Sequence, residues 1–161
     1  MHADIEGAIR IARLAAEFDW TGKVDDVEPF CAAAGWELVQ GEGISPWIRT
    51  DFAVNRPIAA VDLMKRRIDL LSIYATDVAD VEAPYARVKG EVYDCFVELG
   101  QALTETLGPP TRREAGEDAM LGWDLPKIVV ELTTSIGAVY LDLVSCEYRA
   151  ELDEYCAEDD D

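Results

Sequence analysis

Few side chains in this sequence are of the types that perform catalysis, and carboxylates dominate among them. His2 is the only histidine, which excludes a Ser-His-Asp or Cys-His nucleophilic site. Carboxylates are so numerous that no particular pair stands out as a general acid and base. No G-x-G-x-x-G or G-K-[ST] phosphate loop is present. We therefore expect a protein that is not an enzyme and that needs no cofactor.

One group of carboxylates has a spacing that a cation could use. Asp77, Asp80 and Glu82 lie within six residues, just ahead of a predicted helix. They could hold Ca²⁺ or Mg²⁺ through their oxygens. Alternatively, one of them caps the helix and the others favour its positive N-terminal end, which is the interpretation we prefer. No metal site is predicted elsewhere.

The cysteines point to free thiols and a reducing compartment. They form no C-x-x-C pair, and His2 alone could add an imidazole, so we expect no zinc centre. No signal peptide is recognised, and no apolar run reaches the roughly 20 residues that a membrane-spanning helix needs. A cytoplasmic protein is expected, with free cysteines at Cys31, Cys95, Cys146 and Cys156.

The charge of the chain is its strongest functional signal. The 161 residues include 33 acidic and 14 basic side chains, which gives a formal net charge of −19. A surface this negative repels nucleic acid, phosphorylated ligands and anionic membranes, and it speeds the capture of basic partners. The single basic run, Lys65-Arg66-Arg67, is too small to reverse this effect. We therefore expect a basic protein as the partner.

The acidic C-terminal segment, residues 147–161, is the predicted binding region. Tyr148, Leu152 and Tyr155 follow one another at helical spacing, among many carboxylates. This stripe could lie in a basic groove of a partner, or pack on the protein's own sheet ahead of a solvated tail, and both can hold together. The predicted electrostatic contacts are Glu151, Asp153, Glu154, Glu158, Asp159, Asp160 and Asp161, and the predicted apolar anchors are Trp47, Leu152 and Tyr155.

The periodicity predicts a single α+β domain over residues 1–161, with an antiparallel sheet. Two N-terminal helices precede a four-stranded meander, and a long helix precedes three further strands and a short acidic helix or tail. The predicted helices cover 4–18, 27–34, a long segment that starts at 82–84 and runs to 107, and part of 147–161. The predicted strands cover 36–40, 47–54, 58–64, 68–75, 119–124, 128–134 and 139–144.

Three local features support these predictions. Asp25 and Asp26 precede the second helix as candidate N-caps. The long helix carries an apolar stripe suited to covering one sheet face, and residues 112–118 are expected to form a polar loop. The stripe consists of Tyr85, Val88, Val92, Phe96, Leu99, Leu103 and Leu107.

Several short motifs give the chain a family resemblance over nearly its whole length. They are Phe18-Asp19-Trp20, Asp25-Asp26-Val27, Gly35-Trp36, Leu107-Gly108-Pro109-Pro110-Thr111 and Gly122-Trp123. In this order they resemble a family of small actinobacterial proteins known only as a domain of unknown function. The resemblance implies an α+β fold and cytoplasmic residence, and it supplies no catalytic residues.

Size, acidity and lack of catalytic chemistry also make the chain similar to immunity proteins of bacterial polymorphic toxin systems. The leading hypothesis is an inhibitor that blocks a basic active-site cleft of a toxin. A nuclease or nucleic-acid deaminase is favoured as the target, followed by an NAD-consuming toxin. The protein is expected as a monomer alone or as a heterodimer with the toxin. The alternatives are a secretion chaperone or adaptor, and a small-molecule or metal-binding enzyme.

Overall fold

The computed structural model describes residues 1–159, with the side chains of residues 1–158. The helices are α1 (Ile5–Glu17), α2 (Val27–Ala34), α3 (Tyr85–Leu107) and α4 (Cys146–Asp159), and a short 3-10 turn, Val24–Asp26, precedes α2. The strands are β1 (Glu37–Gly41), β2 (Ile44–Arg49), β3 (Ile58–Met64), β4 (Arg67–Tyr74), β5 (Arg112–Glu114), β6 (Met120–Asp124), β7 (Val129–Thr134) and β8 (Val139–Val144). Within this described chain, no helix is both long and apolar enough to cross a membrane.

All eight strands form one antiparallel sheet in the order β1-β2-β3-β4-β8-β7-β6-β5. Each half is a meander of strands that are neighbours in sequence. The two halves meet where β4 pairs with β8, and α3 makes the connection between them. The mixed helix and antiparallel sheet architecture is therefore confirmed, whereas the sheet has eight strands instead of the seven predicted.

The long helix α3 covers one face of the sheet and lies beside α1. It begins after Pro84 and ends at Gly108, which has a φ of 94° that favours glycine. Its buried residues include five of the predicted stripe, namely Val88, Val92, Phe96, Leu99 and Leu103. Tyr85 is 58% exposed, so its predicted place in the buried stripe is wrong. It lies in the first turn, where the helix faces a cavity instead of the centre of the sheet.

A row of aromatic side chains joins the N-terminal helices to the first strands. Ring centroids 4.7–6.2 Å apart connect Phe18, Trp20, Phe30, Trp36 and Phe52 through edge and tilted contacts. Aromatic rings favour these geometries because the edge of one ring is attracted to the face of another. The cluster fixes α1 and α2 at the β1 end of the sheet.

Asp26 does not cap α2 as predicted. Its carboxylate accepts hydrogen bonds from the backbone nitrogens of Thr21 and Gly22, each at 2.9 Å, and from the Thr21 hydroxyl. The chain turns back at Gly22, which brings these donors to the carboxylate. Asp26 therefore stabilises the loop before α2, and α2 has no side-chain cap at this position.

Two strand predictions also need correction. β2 spans Ile44–Arg49 and not 47–54, because the short turn at Glu42-Gly43 pairs Gly41 with Ile44 at once. Residues 112–114 form β5 and not a loop, since Arg112 pairs with Gly122 on β6. A three-residue strand without apolar alternation has no periodic signal in the sequence.

We call the sheet face opposite α1 and α3 the open face. Neighbouring residues of a strand point to opposite faces, so residues beside the buried Leu71, Ile73, Leu141 and Leu143 belong to it. The strand register places one row of residues directly across this face, namely Trp47, Ala60, Ser72, Asp142, Glu131, Gly122 and Arg112. α4 lies against part of this row.

Candidate functional site

α4 starts immediately after β8, and Ser145, the one residue between them, acts as the N-cap of the helix. The Ser145 hydroxyl accepts a hydrogen bond from the backbone nitrogen of Tyr148 at 3.1 Å. A serine at this position satisfies one of the free amide groups of the first helical turn. The turn directs α4 back across the open face.

Arg67 is the first of three arginines that fasten α4 to the sheet. It is the last residue of the predicted basic run, and it forms two hydrogen bonds with Glu151, at 2.6 and 3.0 Å. Its Nε also donates to the buried carboxylate of Asp69 at 2.6 Å. The hydrogen bond from Arg67 lowers the pKa of Glu151. This member of the basic run therefore serves an internal contact.

Arg112 and Arg149 make the second and third attachments. Arg112 donates to both carboxylate oxygens of Asp153 at 2.8 Å, and its Nε bonds Asp124 at 2.9 Å. Arg149 reaches from α4 to Glu131 at 2.8 Å, and both of these side chains are largely buried. The hydrogen bond from Arg112 is the main reason that the pKa of Asp153 is lowered. Such paired, two-point contacts hold the helix in a fixed orientation.

The predicted contact residues of α4 therefore fall into two groups. Glu151 and Asp153 face the protein's own arginines, and Leu152 is half-buried. Glu154, Tyr155 and Glu158 are exposed, with Tyr155 at 65% exposure. Asp159 ends the helix, while Asp160 and Asp161 lie outside the described residues. That these residues contact a partner stays a prediction.

Trp47 is not adjacent to α4, although it was predicted as an anchor for the same partner. It lies half-buried on β2, on the open face, with the Arg49 guanidinium 5.5 Å from the centre of its ring. β3 separates β2 from β4, the nearest strand that α4 contacts. A partner that touched both Trp47 and α4 would have to span the open face.

The middle of the open face holds a buried carboxylate that the sequence did not single out. Asp142 is 8% exposed and accepts hydrogen bonds from the hydroxyls of Ser72 at 2.6 Å and Thr133 at 2.9 Å. Burial raises its pKa to about 6, and nearby Glu131 adds to the rise, against the effect of the two hydroxyls. Because side chains alternate along β8, the sequence could place Asp142 on one face of the sheet. Its burial, in contrast, depends on tertiary packing.

Two of the three carboxylates with cation-like spacing, those of Asp77 and Asp80, accept hydrogen bonds from the backbone. Asp77 accepts hydrogen bonds from the backbone nitrogens of His2 at 3.0 Å and Asn55 at 2.8 Å. Asp80 accepts one from the backbone nitrogen of Glu82 at 2.9 Å. Across residues 1–159, no three His, Cys, Asp or Glu side chains are grouped so that they could hold a metal ion.

A concave feature lies beside the first half of α3. It is a cavity of about 320 Å³ between the first half of α3 and the turns that flank β6 and β7. Tyr85, Tyr93 and Ile136 line it and are more than half exposed. This cavity was not predicted from the sequence, although Tyr85, Lys89 and Tyr93 recur at four-residue spacing, which indicates a helix face with two aromatic side chains.

A family model described as "Family of unknown function (DUF6301)" matches residues 6–145. The chain belongs to this family. The match contains the whole sheet, α2, α3 and all of α1 except Ile5, whereas α4 follows its last residue, Ser145. The predicted membership of an uncharacterised family is therefore confirmed.

Two other comparisons give no functional information about this DUF6301 protein. A solved crystal structure of a DUF4309 family protein, YjgB from Bacillus subtilis subsp. subtilis str. 168, is similar to it at 16% sequence identity. The alignment covers 88% of this chain and 97% of that chain, with a TM-score of 0.43. Comparison with curated proteins gives no match.

Proposed function

We propose that this protein is an acidic, non-enzymatic inhibitor that binds a basic protein, and specifically an immunity protein that covers the active-site cleft of a toxin. The supporting observation is the way in which the chain uses its own basic side chains. Among the side chains of residues 1–158, eight of the 14 basic groups lie within ion-pair distance of a carboxylate, including Arg67, Arg112 and Arg149. Few cations remain to offset the exposed carboxylates.

A row of glutamates along α4 supports the predicted location of the binding surface. Glu147, Glu151, Glu154 and Glu158 recur at intervals of three and four residues, which places them along one side of the helix. Arg67 neutralises the beginning of this row, and Glu154 and Glu158 extend it into solvent. Tyr155 offers an exposed aromatic ring beside them. A charged row with one aromatic anchor suits a basic groove.

The proposed mechanism needs no chemistry from the inhibitor. Enzymes that act on nucleic acid bind phosphates through basic side chains, and a rigid row of carboxylates can occupy the same positions. Attraction between opposite charges accelerates the encounter and makes it sensitive to salt. A nuclease or deaminase toxin is therefore our first choice of target, and an NAD-consuming toxin the second. The inhibitor would act in the cytoplasm, as a monomer that forms a heterodimer.

The first test is capture of the partner from the native host at low salt, followed by an activity assay. We expect one basic protein at a 1:1 ratio that is released as the salt concentration rises. Adding the purified chain should suppress the partner's activity on nucleic acid or NAD. A captured protein whose activity is unchanged by saturating amounts of this chain contradicts the inhibitor proposal.

A pair of charge-matched variants locates the contact. Glu154→Gln with Glu158→Gln removes two charges from α4, and Glu17→Gln with Glu42→Gln removes two exposed charges elsewhere. Both double variants change the net charge from −19 to −17. The α4 variant should slow association by about threefold or more relative to the control. Equal rates would place the contact away from α4.

The open face favours a second candidate function, a chaperone or adaptor that shields a segment of another protein. Beyond α4 this face presents the partly exposed aromatic rings of Trp47, Tyr74 and Tyr140. Tyr74 and Tyr140 lie side by side, with ring centroids 4.9 Å apart. Trp47→Ser would then weaken binding more than the α4 double variant. A homodimer in sedimentation experiments would also favour this candidate over the inhibitor.

A further inference from the structure

The cavity beside α3 combines an apolar floor with an acidic mouth. Val92, Phe96 and Ala119 form the floor and are at most 8% exposed. Tyr85 and Tyr93 stand at the side, 58% and 61% exposed. Both rings line the cavity, yet most of their surface remains in contact with water. Exposed rings around a concave apolar site are typical of binding surfaces.

Charged groups surround the mouth of this cavity. Glu117 and Asp118 both line it and are exposed, and Lys89 lies between the two tyrosines on the helix. The Lys89 ammonium is 3.3 Å from Glu117, so this ion pair bridges from α3 to the loop before β6. In the part of the chain that the structure describes, Asp118 forms no such pair. The mouth is therefore negative overall.

The Lys89–Glu117 pair shows that the mouth of the cavity can hold a cation. Both side chains are more than half exposed, at 54% and 78%, so water screens their attraction. Exposed pairs of this kind contribute little to stability, and they open readily. A cation from outside could therefore replace Lys89 beside Glu117 and also reach Asp118.

We propose that this cavity binds the side chain of an arginine in an exposed segment of another protein. The guanidinium group is planar and weakly hydrated, and it stacks on aromatic rings. Its fork of N–H donors fits the carboxylates at the mouth, and its aliphatic stem can cover Phe96 and Val92. Lysine fits less well because its ammonium is compact and strongly hydrated. The proposal depends on this cavity alone and not on the contacts of α4.

The probe is the tripeptide acetyl-Gly-Arg-Gly-amide, titrated into the full chain and followed by NMR of the tyrosine ring resonances. We expect shifts at Tyr85 and Tyr93 but not at Tyr155, which lies on α4. The analogue with citrulline keeps the shape and removes the charge, and the analogue with norleucine keeps only the apolar stem. Both should bind at least about fivefold more weakly than the arginine peptide.

Two substitutions should move the affinity in opposite directions. Lys89→Met removes the internal competitor and should tighten binding of the arginine peptide by about two- to fivefold. Asp118→Asn should weaken binding by a similar factor. Lys127→Met is the matched control, because Lys127 also forms an exposed ion pair, with Asp19, outside this cavity. It changes the net charge by the same amount as Lys89→Met and should leave the affinity within about twofold.

The proposal is overturned if the arginine peptide does not shift the two tyrosines. It is also overturned if citrulline or norleucine binds as tightly, or if Lys89→Met and Lys127→Met have the same effect. None of these results bears on inhibition through α4, since Glu154 and Glu158 are not part of the cavity. The two proposals therefore fail or succeed separately.

Discussion

Replacing Asp142 by asparagine should make the protein more stable at pH 8 and change how its stability depends on pH. The carboxylate is 8% exposed, and its native pKa is about 6 because burial disfavours the charged form. An aspartate in an unfolded chain has a pKa of about 3.9. The native state therefore binds this proton more tightly than the unfolded state does.

The sign and size of the effect follow from this difference. The stabilisation by the bound proton is fully present below about pH 4, and it is lost as the pH rises through 6. Ionising Asp142 in its native position costs about 3 kcal/mol relative to water. Between pH 8 and pH 5 the wild type should regain about 1.4 kcal/mol from this group. The asparagine side chain of the variant would remain neutral, and its carbonyl can accept hydrogen bonds from the Ser72 and Thr133 hydroxyls.

Urea unfolding at pH 5, 6, 7 and 8, followed by tryptophan fluorescence, measures this directly. Asp142→Asn should be more stable than the wild type by about 1–3 kcal/mol at pH 8, and the advantage should shrink by about 1.4 kcal/mol at pH 5. Other carboxylates contribute equally to both proteins and cancel in the difference. Glu42→Gln, in the exposed β1–β2 turn, is the control. A stability difference that does not vary with pH would refute the reasoning.

Three further predictions concern packing and the thiols. Arg149→Met leaves the buried Glu131 without its partner and should cost about 3 kcal/mol in urea unfolding, and adding Glu131→Gln should recover part of this loss. Leu99→Ala at a fully buried position of α3 should cost about 3 kcal/mol by the same assay, and a loss below about 1 kcal/mol would contradict the packing. Ellman's reagent should modify the two exposed cysteines of α4 in the native protein. It should reach Cys31 and Cys95 only after unfolding, because both are buried and burial raises the pKa of the Cys31 thiol to about 11.

The elements with strong local signals were predictable from the sequence. The predicted bounds of β3 and the predicted end of α3 agree with the structure, since turn residues flank the strand and Gly108 ends the helix. The helix begins at Tyr85, directly after the predicted start at residues 82–84. β5 had no such signal, because it exists only by pairing with β6. The sequence predicted Asp26 as a helix cap, but its carboxylate accepts hydrogen bonds from the backbone nitrogens of Thr21 and Gly22 instead. Strand pairing decided the first case, and hydrogen bonds within a local loop decided the second.

The candidate sites depend on contacts that local patterns do not contain. α4 was predicted as a helix with an acidic surface, but its attachment joins Arg67 to Glu151, 84 positions apart. No periodic pattern identifies that pair among 14 basic and 33 acidic residues. Tyr85 has the helical phase of a core residue, and only the position of the β7–β8 turn leaves it facing a cavity. Periodicity identified the helix faces, and packing determined what each face meets.

The pairing of β4 with β8 has a consequence for the order in which the protein folds. Within β1 to β4 and within β5 to β8, each strand pairs with the next one in the sequence, so either half can form from contacts between neighbouring segments. The seam between them pairs Ile73 with Leu141, about 70 positions away, and must close a long loop that contains α3. We expect the seam to form late. Substitutions at Ile73 or Leu141 should then mainly accelerate unfolding, while substitutions within a half should also slow folding.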